Sequence, residues 1–253
     1  MPDVSTPAKL RAYCIKHEEN GGVGLLISGG STSEGAVPLT PFLDTIRWIK
    51  ENTDLLLNIH TGMLNKEEAE AVASTGVDVV SVDLVGSEDT LRQVYGLDKS
   101  IEAYDATLVN LVDGGANVAP HICVGLHYGE IKGEKKAIEL AAEVRPESVV
   151  FISLIPTTGT LMENVQPPKV KTITDLISIA GKKCSESEIG LGCMRSRSYK
   201  TELEWGAIKA GAKRIALASR STEHRALEAG YGILKLDGCC ATPKKYDSLL
   251  LRA

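Results

Sequence analysis

The sequence predicts an α/β protein built as a partial (β/α) barrel, and three observations lead there. Short β-branched runs alternate with longer amphipathic patterns along nearly the whole chain of 253 residues, giving seven strand–helix units. The runs are apolar on both faces, which requires a parallel sheet covered by helices. Nearly every run ends in polar or glycine residues: Ser28, Gly29 and Gly30, then Asn58 and His60, Asp83, His121 and Cys123, Pro156, Cys193, and Ser219. In barrels of this kind the working face is made by the strand C-termini. A doubly wound open sheet is the alternative, but no G-x-G-x-x-G follows the first run.

In chain order, "TPAKLRAYCIKHE" reads as a helix whose Leu10, Tyr13 and Cys14 pack on a sheet. The strand "GLLIS" precedes the helical "TPFLDTIRWIKENT", where Phe42, Leu43, Ile46 and Ile49 share a face. The pattern repeats as "LLLNIH" with "NKEEAEAVASTG", "VDVVSVDLV" with "SIEAYDATLVNLVDGG", and "ANVAPHICVG" with "GEKKAIELAAEV". It continues as "SVVFISLI" with "KVKTITDLISIAGKK", "EIGLGC" with "TELEWGAIKAGA", and "KRIALA" with "TEHRALEAGYG". Gly76, Gly114 with Gly115, and Gly211 stand where helices stop. Eight units close a regular barrel, so the chain is expected to start at the first helix, without the first strand and its loop. Residues 1–22 then form that helix, 23–220 the partial barrel, and 221–253 a helix and a tail that returns to the barrel mouth.

Composition limits the function classes. A formal net charge of −5 with scattered Lys and Arg gives no basic stripe for a nucleic acid. No apolar run reaches the ~20 residues of a membrane span, and the first residues hold no signal core, so a cytoplasmic protein is expected. Six cysteines, sparse and unevenly spaced, argue for thiols rather than a disulfide framework.

With the loops included, four segments, "VFISLIPTTGTLMENVQPP", "LLISGGS", "NIHTGM" and "GLGCMRSR", give the chain a resemblance to the radical S-adenosylmethionine superfamily in its biotin synthase-like and lipoyl synthase-like branch. "VFISLIPTTGTLMENVQPP" is similar to the sixth-strand segment of biotin synthases, with its P-x-x-G-T turn and second proline pair. "LLISGGS" is similar to the glycine motif that holds the methionine amino group, although Ser31 stands where the family usually has an acid. "NIHTGM", "VVSVDLVGSEDTLRQVYG", "HICVGLHYGEIKGEKKAIELA" and "GLGCMRSR" follow in the family's order, so the resemblance covers about residues 6–220. The family's C-x3-C-x2-C loop, whose thiolates hold a [4Fe–4S] cluster, does not occur in this sequence.

The resemblance implies that Ser28, Gly29, Gly30, Ser31, Asn58, His60, Asp83 and Pro156 line a site for S-adenosylmethionine. It also implies that His121, Arg195 and Arg197 face a substrate. Each residue has a plainer reading: a tight turn at the glycines, lining histidines, solvated arginines. Asp83 is the sharper candidate, because a carboxylate closing an apolar strand needs a partner. Cys193, Cys239 and Cys240 are either inert thiols or, if the tail crosses the mouth, ligands of an auxiliary [4Fe–4S] cluster. The activity implied is sulfur insertion into a lipoyl-like or biotin-like aliphatic chain, with the radical-generating cluster supplied by a missing segment or a partner subunit. The alternative is a cluster-less barrel that binds a small ligand, serves as a scaffold subunit, or uses S-adenosylmethionine without radical chemistry. Seven strands leave two sheet edges unpaired, so a second copy or a partner subunit is expected to cover them.

Overall fold

The computed structural model describes residues 3–251. Helix α1 (Pro7–Glu19) is started by Thr6, whose side chain accepts the Lys9 N–H, and by Pro7 in the first turn, where no backbone donor is needed. It buries Leu10 and Cys14, while Tyr13 stays partly exposed and stacks on His17. The barrel follows as β1 (Gly24–Ile27), α2 (Leu43–Asn52), β2 (Leu56–His60), α3 (Lys66–Ala73) and β3 (Val79–Leu84). A short helix α4 (Glu88–Thr90) runs into a π-helical turn (Leu91–Tyr95), and α5 (Glu102–Asp113) completes that unit. Then come β4 (Val118–Val124), α6 (Glu134–Glu143), β5 (Ser148–Ser153), α7 (Val170–Lys183), β6 (Glu188–Leu191), α8 (Lys200–Lys209), β7 (Arg214–Ile215), α9 (Arg220–Glu228) and the one-turn α10 (Asp247–Leu250). The glycine helix stops hold, with left-handed backbone at Gly76, Gly115 and Gly211.

The seven strands form one parallel sheet in the order β1 to β7, the arrangement of a (β/α) barrel left open between its first and last strands. Alternation along the strands separates two layers. Leu57, Ile59, Val80, Val82, Ile122, Val149 and Phe151 point outward into the main core against the helices. Val79, Ala119 and Val150 point to the concave side and meet Ala241 of the C-terminal segment.

That segment corrects one expectation. The tail does not return to the mouth; residues 237–243 enter the barrel from the other end. The Ser148 hydroxyl, at the start of β5, donates to the Ala241 carbonyl at 3.0 Å. Arg214, at the start of β7, holds Glu188 at 2.7 Å and Asp247 at 2.8 Å. The small Ala241 fills the narrow end of the concave face, where Val79, Ala119 and Val150 leave an apolar seat.

Among the described residues β1 pairs only with β2, and β7 only with β6. A cleft of about 1340 Å³ lies between them, bordered by Val23, Ile215, Leu217, Ile233 and Leu234, of which Leu217 and Leu234 are largely exposed. Among the described residues no helix is long and apolar enough to cross a membrane.

Candidate active site

The concave face above the plug is built by register. His60 lies opposite Ser81, Asp83 opposite His121, and Cys123 opposite Ile152, so β2 to β5 stack their inward residues in rising layers. At the C-terminal end this places a His60 ring nitrogen 3.5 Å from the Asp83 carboxylate and the His60 and His121 rings 5.1 Å apart. The partner that Asp83 requires is therefore His60. Burial works against the Asp83 charge, but the hydrogen bond to His60 and the two imidazoles outweigh it and hold its pKa below the usual carboxylate value.

His121 is buried, and its Nδ1 sits 2.9 Å from the Ala119 carbonyl. A carbonyl accepts only, so Nδ1 carries the proton and Nε2 is left with a lone pair. Burial pulls the imidazole pKa down to about 4, and Asp83 only partly opposes this. His121 is thus a neutral acceptor beside an ionised carboxylate, an arrangement suited to orienting a polar ligand or taking a proton from it.

Two further neighbours line this face, of which Tyr95 escapes sequence reasoning and Cys123 reads in the sequence only as a strand-end residue. Tyr95, in the π-helical turn, has its phenol pKa raised by burial and by the charge of Asp83. Cys123 is pushed up to about 12 by burial and by Asp83, so it stays a thiol. No helical or strand period marks Tyr95, because the π-helical turn breaks the spacing.

The other candidates separate. Ser28, Gly29, Gly30 and Ser31 form an exposed loop at the end of β1. Neither Gly29 nor Gly30 has left-handed backbone, and a Cβ at Gly30 meets nothing within 4 Å, so the pair leaves open surface rather than forming a strained turn. The loop is tied to β2 farther on: the Val37 N–H donates to Thr61, and Gly62 lies so close to the Gly35 carbonyl that a Cβ there would clash. Pro156 follows β5 in the loop beyond Ser153. Asn58 lies below the histidines, bonded to Ser81 at 2.8 Å.

Arg195 is a correction. It is not a free cation at the strand end but is buried. Its guanidinium donates to the Gly192 and Ala216 carbonyls and to the Glu204 carboxylate, at 2.5 Å for the last. Glu204, fully buried on α8, also accepts from the Ser219 N–H and the Thr222 hydroxyl. The pair joins the loop after β6 to α8 and α9, while Arg197 is exposed.

The thiols are a second correction. Cys193 is exposed after β6, whereas Cys239 and Cys240 are half-buried on the segment that enters from the opposite end. Among the described residues no three His, Cys, Asp or Glu side chains are placed to hold a metal ion. The three-thiolate cradle that a [4Fe–4S] cluster needs is not formed by residues 3–251.

No family model matches the sequence. Biotin synthase from Halorhodospira halophila is 27% identical over 196 residues, 75% of this chain and 58% of that protein. Biotin synthase from Burkholderia mallei is 28% identical over 157 residues, 59% of this chain and 44% of that one. The chain is similar in sequence to biotin synthases. Solved structures agree in fold. The chain superposes on the FeFe-hydrogenase maturase HydG from Carboxydothermus hydrogenoformans with a TM-score of 0.65 at 14% identity, covering 85% of this chain and 51% of HydG. Against methylornithine synthase (PylB) the TM-score is 0.62 at 13% identity, covering 90% and 73%. The chain spans about half the length of the curated relatives it matches.

Proposed function

We propose that this biotin synthase-like barrel is part of a radical S-adenosylmethionine enzyme and binds S-adenosylmethionine at the C-terminal ends of its strands. The observation that carries this is the His60–Asp83–His121 cluster on the concave face of a chain with biotin synthase relatives. The residues fit the ligand: an exposed glycine loop gives its backbone room, and an ionised carboxylate suits ribose hydroxyls or an ammonium group. S-adenosylmethionine, when bound, supplies a sulfonium centre. Asp83 accepts from the ligand's donors, His60 holds Asp83 in place, and neutral His121 offers Nε2 as an acceptor from the floor of the mouth.

The cluster that radical chemistry needs does not fit the thiols of residues 3–251, so in this reading it comes from polypeptide beyond them or from a partner subunit. Sulfur insertion into an aliphatic chain is the finer reading, supported by the biotin synthase relatives. The thiol arrangement favours a second one, a cluster-less barrel that binds a small ligand.

Calorimetric titration with S-adenosylmethionine tests the site. Asp83→Ala is expected to weaken binding about tenfold or more, the scale of one charge-assisted hydrogen bond. Unchanged affinity in the variant, or no uptake by the parent protein, overturns it. The open β1 and β7 edges further predict a self-associated or partnered state. A monomer at all concentrations in sedimentation, with no partner recovered, contradicts that.

A further inference from the structure

The concave face carries a second constellation, at the plug rather than the mouth, that the proposed function leaves unused. Asn58 is buried, and its Oδ1 accepts from the Ser81 hydroxyl at 2.8 Å. That bond fixes the amide so that Nδ2 faces the Cys239 sulfur at 3.5 Å. An amide donor held on one half-buried sulfur favours the thiolate, as an oxyanion hole favours an alkoxide.

The neighbouring thiols are arranged differently. Hydrogen bonding, led by the Cys240 thiol, lowers the Cys239 pKa to about 6 although burial opposes it. Cys240 is shifted upward, because it donates its proton to that neighbour and is itself desolvated. Burial pushes Cys14 up to about 11 and raises Cys184 as well. Cys193 is exposed but has no such donor among the described contacts.

Cys239 also has access. It lines a cavity of about 300 Å³ bounded by Leu26, Leu56, Val79, Thr242 and Leu250, between the β1–β2 edge and the plug. That volume admits a short thiol-bearing group.

We propose that Cys239 is a nucleophilic thiolate site for small disulfides, with Cys240 and Asn58 as positioning residues that hold the sulfur in its reactive form. In the step, the Cys239 sulfur attacks one sulfur of R–S–S–R. A bond forms between Cys239 Sγ and that sulfur, the original S–S bond breaks, and R–S⁻ leaves and takes a proton from water. Cys239 is oxidised to a mixed disulfide and the departing half is reduced to a thiol. Cys240 keeps its proton and does not resolve the adduct. Cα atoms of adjacent residues across a trans peptide lie about 3.8 Å apart, short of the ~4.4–6.8 Å span that disulfides prefer.

The test is a time course of the intact protein with cystamine, followed by peptide mass mapping across pH. Cys239 is expected to carry the first adduct and to react at least ten times faster than Cys193, with a rate midpoint near pH 6. Cys240→Ala removes one donor and is expected to move that midpoint up by about one pH unit or more. First labelling at Cys193, or an unmoved midpoint in a Cys240→Ala protein that still unfolds cooperatively, overturns the proposal. Should that variant fail to fold, the order of labelling in the parent protein decides alone.

Discussion

Glu204→Ala is expected to lower the unfolding free energy by about 3–5 kcal/mol, the scale for breaking a buried ion pair from one side. The variant leaves the Arg195 guanidinium buried without its carboxylate and also frees the Ser219 N–H and the Thr222 hydroxyl. Urea denaturation followed by circular dichroism measures the loss. The double variant Arg195→Met with Glu204→Leu is expected to recover much of it, because the cost lies in the unpaired charge rather than in the absent attraction. A loss below about 1 kcal/mol for Glu204→Ala would show that the pair is solvated. Against a typical total of roughly 5–15 kcal/mol, the expected loss threatens the whole β6–α8–β7 end of the sheet.

The second large effect is a pH dependence carried by His121. Its imidazole titrates near 4 in the folded protein against a reference of 6.5, so between those values the unfolded chain holds a proton that the folded chain does not. Stability therefore rises with pH through this window and is lost as pH falls from about 6.5 to 4. A shift of that size is worth roughly 3 kcal/mol. Asp83 acts in the same direction but lower, since its folded pKa is depressed below 3.8 and its contribution disappears only as pH falls through the folded value. Glu134 runs the other way. Its carboxyl is raised above 4.5 by burial, so its contribution is present at low pH and lost as pH rises through the folded value. The readout is thus the difference between the parent protein and His121→Asn: if His121 is the source, the parent's melting temperature falls more steeply than the variant's between pH 6.5 and 4, so the gap between them changes across that window. Parallel curves would refute the assignment.

The barrel was legible because its signals are local. β-branched runs and their glycine stops lie within a few residues of each other, and all seven strands fall where those runs do. Asp83 was legible for a related reason, since a carboxylate ending an apolar strand requires a partner wherever the chain goes. Arg195 was not. Its partner Glu204 sits in "KTELEWGAIK", which reads as an ordinary charged helix face until α8 packs over the loop after β6. The direction of the tail was equally hidden, because "DGCCATP" carries no period and its seat consists of Val79, Ala119 and Val150, each contributed by a different strand.

That seat has a consequence for how the molecule is made. Residues 237–243 leave the ribosome after all seven strands, yet they supply the floor of the concave face. Until they arrive, Val79, Ala119 and Val150 face water, and Asn58 lacks the sulfur that its amide holds in the finished protein. The contacts that close the floor span most of the chain, and such long-range pairings form late and slowly. The floor of the concave face therefore cannot form before residues 237–243 have been made, whatever the strands have reached by then.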